Sequence, residues 1–269
     1  MQLLHGGSLY VVAARWSREQ LLREVVLAPR RAFVPLAGTR VIERPGWLQL
    51  ITPSVPRGGF NDVAYSCLAD DEADAVIDAT IGEYARLGLE FRWFVGPDSG
   101  PADLADRLAR RGLVRHEVSG MACEIQAFDV PPVNPNVAVE QVDVGTEPEF
   151  SRVTALGWKM DEPALGAYHR HVLGQPERGH IMFLGRLDSE PAGTASYVAG
   201  AHSAYLMGGV VLPAFRGRGL YRALVHARLE HARTRGISLV TCQAGRMSAP
   251  ILERLGFETV CPFLVFTRT

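Results

Sequence analysis

At 269 residues and 47% hydrophobic content, the chain is long enough for one large or two ordinary domains, each with its own core. Its 28 basic residues are balanced by 29 acidic ones, for a formal net charge of −1, so it lacks the basic surplus of a nucleic-acid binder. No charged segment followed by an apolar run opens the chain, and the least polar stretch, 196–215, is broken by His202, glycines and Pro213. A soluble cytoplasmic protein that neither enters nor spans a membrane is therefore expected.

In the first half, the spacing predicts a strand over 62–68 that runs into the acidic segment 69–74 and then a helix. A strand over 91–95, a helix over 101–108 closed at Gly112, and a strand over 121–125 follow. The segment 128–136 holds Pro131, Pro132 and Pro135, which no helix or central strand accommodates, and reads as a linker. It divides the chain into expected domains at 1–130 and 137–269.

After the linker come a strand over 137–142 and helices over 147–156 and 162–173. Strands over 180–187, 192–198 and 204–211 follow, with a turn at Asp188-Ser189-Glu190-Pro191. A long helix then runs to Gly236, with Tyr221, Val225, Leu229 and Ala232 along one face. A strand over 237–243, a short helix closed by Leu255-Gly256-Phe257, and a final strand to Thr267 complete a mixed α/β sheet protein. The order strand, helix, glycine cap, strand ends both halves, which suggests a duplicated domain. Cys67, Cys123, Cys242 and Cys261 lie far apart, each in a strand-like run, and are expected to be reduced and buried.

The loop Arg216-Gly217-Arg218-Gly219, between the strand ending at Val211-Leu212-Pro213 and the long helix, carries the most chemistry. Two glycines let successive backbone N–H groups converge at the positive end of a helix dipole, with guanidinium groups alongside. That combination suits a pyrophosphate. At the corresponding place in the first half, Asp70, Asp71, Glu72 and Asp74 would repel such a group.

With this loop, the preceding Val211 and Pro213, and the later Leu252-Glu253-Arg254-Leu255-Gly256-Phe257, residues 137–269 resemble the GNAT acyltransferase family. The whole resembles a tandem GNAT protein with a degenerate first copy. The family's signature, Arg/Gln-x-x-Gly-x-Gly/Ala, is matched at Arg216 and Gly219, while Tyr221 stands at the last small position. The resemblance implies acetyl-CoA as cosubstrate, its pantetheine on the backbone of Val210 and Val211. Its pyrophosphate would lie on the amides of Arg216, Gly217, Arg218, Gly219, Leu220, Tyr221 and Arg222. It also implies splayed fourth and fifth strands and an oxyanion-binding N–H on the fourth strand.

Many members place a tyrosine where this chain has Leu252, and a carboxylate on the fourth strand, where it has Met207, Gly208 and Gly209. Ser248 is then the leading polar candidate near the sulfur, with a helix N-cap as its structural alternative. Cys242 could face the same gap, or simply be a core thiol. Tyr205 and His202 are candidates to relay the amine proton, or sheet and surface residues. Asp161 and Glu162 could attract a cationic amine, or start a helix with Pro163. His169, His171 and His180 show no metal-binding pattern. The expectation is N-acetyl transfer to a small-molecule amine, with an inactive ligand-sensing protein or a protein N-acetyltransferase as the alternatives.

Overall fold

The last strand of each half of the chain lies inside the other half's part of the sheet. The computed structural model describes residues 16–125 and 134–268. It contains β1 (Arg40–Arg44), β2 (Trp47–Ile51), β3 (Asp62–Ser66), β4 (Phe91–Val95) and β5 (Val114–Glu124) before the linker. After the linker come β6 (Val137–Gln141), β7 (His180–Leu187), β8 (Glu190–Ala199), β9 (Ala204–Val211), β10 (Leu239–Ala244) and β11 (Glu258–Arg268). All belong to one sheet in the order β1-β2-β3-β4-β11-β5-β10-β9-β8-β7-β6. Thus β5 is flanked by β10 and β11, and β11 by β4 and β5, all three pairings antiparallel. The linker residues 128–133 lie outside the described residues.

The helices are α1 (Arg18–Arg31), α2 (Ala73–Arg86), α3 (Leu104–Arg110), α4 (Glu147–Trp158), α5 (Glu162–Leu173), α6 (Leu220–Thr234) and α7 (Ala249–Glu253). Strand alternation assigns them to faces. Along β10, Val240, Cys242 and Ala244 join the apolar cluster under α6, whereas Leu239 joins the cluster under α1. On β4, Phe91 and Trp93 join the cluster beneath α2 and α3. Phe150, Leu165 and Tyr168 of α4 and α5 pack on Met182 and Leu184 of β7, together with Val34, Val55 and Phe60 from the first half.

Both halves run strand, helix, parallel strand, helix, strand: β3-α2-β4-α3-β5 and β9-α6-β10-α7-β11. The expected mixed α/β sheet is therefore present, and the two halves repeat one order of elements. Gly112, Gly236 and Gly256 have φ of 80°, 72° and 87°, the left-handed caps that glycine adopts without strain. The Asp188-Ser189 turn has both φ positive, at 52° and 70°, which closes β7 onto β8 as a two-residue hairpin. One expectation fails: all four cysteines are free, but only Cys242 and Cys261 are buried, and Cys67 is exposed. Cys67 lies beyond the end of β3, where the sheet no longer covers it.

Candidate active site

Between β9 and β10 the parallel pairing lasts for only three residues, ending at Leu206 opposite Cys242. From Met207 onward β9 is paired only with β8. Gly208, at φ 62°, marks a bulge where the register against β8 shifts between Thr194 and Ser196. The two strands therefore part over the upper half of β9, and the α6 loop lies at the end of that gap.

The loop has the geometry of an anion cradle. Gly217 and Gly219 have φ of 77° and 91°, and a Cβ on Gly217 would meet nothing within 4 Å. Gly219 is the N-cap of α6 and has no side chain to satisfy the helix. Regular helical bonding starts at Ala223, whose N–H donates to the Gly219 carbonyl at 3.1 Å, so the amides of Leu220, Tyr221 and Arg222 precede it. The first turn holds no acidic residue. Arg216 and Arg218 are fixed beside it: Arg216 Nε donates to the Val211 carbonyl at 3.0 Å, and Arg218 pairs with Asp188 at 2.6 Å. Asn134 Nδ2 also donates to the Arg218 carbonyl at 3.2 Å.

In the first half the corresponding helix start is filled by ion pairs. Arg107 binds Asp70, Asp74 (3.0 Å) and Asp103 (2.8 Å), while Arg111 binds Asp74 (2.8 Å) and Asp78 (2.6 Å). Asp70 and Asp74 of the acidic run predicted to repel a phosphate are thus tied down by Arg107 of α3 and Arg111 at its C-cap.

The walls of the β9/β10 gap include residues that the sequence reading weighed and one that it passed over. The Tyr221 ring lies against Gly209, where a Cβ would come within 3.3 Å of it. Burial raises the pKa of its hydroxyl, while Arg228 and Ser248 nearby pull the other way. Arg228, 2% exposed, has no carboxylate partner among the described residues. It donates from Nε to the Leu224 carbonyl at 3.0 Å and from Nη1 to the Ser196 carbonyl at 3.2 Å. Burial pushes its pKa down, while Tyr221 and Cys242 oppose that shift. Burial likewise pushes the Cys242 thiol up to about 12, so it stays protonated and inert near neutrality. Arg228 lies seven residues beyond Tyr221, and that spacing marks it as part of the buried face.

Ser248 is the N-cap residue of α7, yet its hydroxyl makes no cap bond and donates instead to the Gly245 carbonyl at 3.1 Å. Tyr205 lies on the opposite face of the sheet from Cys242 and is coupled electrostatically to Arg92 and Asp62 of the first half. Burial is the main cause of its raised pKa, so it can donate or pass on a proton but is a poor base. His202 is exposed and outside any strand. Asp161 caps α5, accepting from the Ala164 N–H at 2.8 Å, which favours its structural reading. Val210, expected to carry pantetheine, is packed beneath α4: a Cβ on Gly157 would come within 2.6 Å of it.

The comparisons with known proteins agree with this geometry. Residues 148–257 match the model of the acetyltransferase (GNAT) family. The second half carries a GNAT domain. That domain is of the acyl-CoA-dependent N-acyltransferase type. Around it, the chain as a whole shares its fold with a GCN5-related N-acetyltransferase from Kribbella flavida (TM-score 0.65, 18% identity, 92% of this chain and 95% of that one). A functionally unknown conserved protein from Staphylococcus epidermidis is similar at TM-score 0.60 and 10% identity, over 88% and 98% of the chains. A tandem GNAT protein from the clavulanic acid biosynthesis pathway is similar at TM-score 0.57 and 17% identity, over 91% and 87%. No curated protein sequence matches the chain. Among the described residues, no helix is long and apolar enough to cross a membrane, and no group of His, Cys, Asp or Glu could hold a metal ion.

Proposed function

We propose that the second half binds one acetyl-CoA and transfers its acetyl group directly to a primary amine of a small molecule. The observation that carries this reading is the open, acid-free N-terminus of α6 at Gly219, placed where β9 and β10 part. When bound, acetyl-CoA supplies an acetyl thioester. The amides from Arg216 to Arg222 hold its pyrophosphate, and the backbone of Val210 and Val211 its pantetheine. In the transfer, a C–N bond forms as the C–S bond breaks. The amine loses one proton and the departing sulfur gains one.

Tyr221 and Ser248 serve as proton donors on the α6 side of the gap. They stand in for the tyrosine that Leu252 replaces. Arg228, a buried cation coupled electrostatically to Tyr221, favours negative charge there and so eases release of the phenolic proton. Tyr205 serves the opposite face as a donor and relay. No side chain of this set is a strong base, so the amine must arrive neutral. The first half is a second copy that has exchanged its cofactor loop for the Arg107–aspartate network, and one cofactor site per chain follows.

The absence of a carboxylate at Met207, Gly208 and Gly209 favours one other reading, a CoA-binding sensor without turnover. The two are separated by following release of free CoA from acetyl-CoA across a broad amine panel. Amine-dependent release supports transfer. Tight acetyl-CoA binding with no release by any amine would leave the sensor.

A further inference from the structure

The first half places a cationic side chain beneath a turn that packs against the α4–α5 turn of the second. Gly58 lies so close to Met160, in the turn between α4 and α5, that a Cβ there would come within 2.5 Å of the Met160 side chain. Phe60 stacks edge-on against Tyr168 of α5, with ring centroids 4.7 Å apart. The end of α4 rests in turn on Val210 of β9, through Gly157. A continuous set of contacts therefore leads from the cofactor strand, by way of Met160, to the Gly58-Gly59 turn of the first half.

Arg92 lies directly under that turn. Its Nε and Nη2 donate to the two carboxylate oxygens of Asp62, each at 2.8 Å, and Nη2 also reaches the Gly59 carbonyl at 3.1 Å. A Cβ on Gly59 would come within 2.9 Å of the guanidinium carbon, so the glycine lets the planar group lie flat against the backbone. Asp62 is thereby used up and enclosed, with a side chain 9% exposed, whereas 39% of the Arg92 side chain is accessible. The Nη1 group makes no hydrogen bond among the described residues. The accessible member of the pair is thus the cation, held in one orientation by a buried carboxylate. Electrostatic coupling links it to Tyr205, on the same face of the sheet.

We propose that Arg92, oriented by Asp62, binds a carboxylate on the acceptor, so that the substrate is an amino acid or another amine bearing a carboxylate. The first half then contributes the specificity group and the second half the chemistry. A fixed guanidinium edge suits a planar carboxylate, and its loss leaves the acceptor anion without a partner. Asp62 is not itself the amine's partner, because both its oxygens already accept from Arg92.

This inference rests on the acetyl-transfer reading, and its test separates the two. Free CoA release is measured for α-amino acids, β-alanine and 4-aminobutyrate, each beside its primary amide. The wild type is compared with Arg92→Lys and with the double variant Asp62→Asn/Arg92→Gln, which leaves no buried unpaired carboxylate. Acetyl-CoA affinity is measured by calorimetry on each protein. The expected result is a preference of about 10- to 100-fold in kcat/KM for the acids in the wild type, carried by KM. It should collapse in the double variant and weaken in Arg92→Lys, with acetyl-CoA affinity unchanged. Equal use of acids and amides, turnover only of amines lacking a carboxylate, or a preference that survives the double substitution overturns the inference while transfer itself stands. Failure to bind acetyl-CoA, or binding without any turnover, removes the parent reading and this one with it.

Discussion

Leu206 faces Cys242 across the last paired position of β9 and β10, and beyond it the strands separate. Everything assigned to the cofactor lies on the open side of that pair: the Gly208 bulge, Val210 and Val211, and the loop leading into α6. On the closed side the strands stay paired, with Tyr205 opposite Thr241.

If the Tyr221 hydroxyl helps protonate the leaving sulfur, Tyr221→Phe keeps the ring against Gly209 and removes only the proton. Single-turnover and steady-state kinetics should show kcat lowered by about 10- to 100-fold, with acetyl-CoA affinity unchanged. An unaltered kcat would assign Tyr221 to packing alone.

Arg228 is enclosed without a carboxylate, an arrangement that costs stability unless it serves the site. Arg228→Met, similar in length and apolar, should leave the thermal midpoint unchanged or higher while lowering kcat. Calorimetric unfolding and kcat measured on the same preparation check both halves of this prediction. A large loss of stability with kcat retained would make the arginine structural.

Gly157 allows the end of α4 to touch Val210. Gly157→Ala places a methyl group within 2.6 Å of Val210 Cγ2, and the helix end must move. The expected cost is about 1–3 kcal/mol of stability, read by denaturant unfolding, with a raised KM for the acceptor.

His169 and His180 are buried and held neutral, their pKa values lowered to about 3 and about 4, chiefly by burial. His169 Nδ1 lies 2.7 Å from Ser151 Oγ, whose hydroxyl also bonds Glu147, while Arg170 pairs with Glu147 at 3.2 Å. Because the folded values lie below the unfolded one, the unfolded state takes up protons first as pH falls. Stability is full above about pH 6.5 and declines below it by about 1.4 kcal/mol per pH unit for each histidine, levelling off only at the folded values. Urea unfolding between pH 7 and 5 should show this fall, and replacing His180 by Gln should remove part of the slope.

The strands, helices and caps of the second half were legible because their signals are local. Alternation gave β7 and β9, glycine marked the helix ends, and the Gly/Arg loop announced itself. The exchange of β5 and β11 was not legible, since any half-buried strand carries the same alternation whichever neighbour it pairs with. Arg228 escaped because an arginine at a core spacing reads as surface until its carbonyl partners are visible. Arg92 and Asp62 form an ordinary pair within the first half. Only the docking of the Gly58–Phe60 turn on Met160 and Tyr168 brings them to the second. Cys67 was misread because the apolar run outlasts β3.

The most direct test is a calorimetric titration with acetyl-CoA, comparing wild type with Gly219→Glu after both are shown to be folded by thermal unfolding. The substitution sets a carboxylate at the N-terminus of α6, where the pyrophosphate should lie. Saturable binding at one site per chain, abolished by the substitution, is the predicted result. Two sites would restore a working cofactor loop to the first half. No binding by the wild type, or equal binding by the variant, would contradict the assignment of the α6 loop.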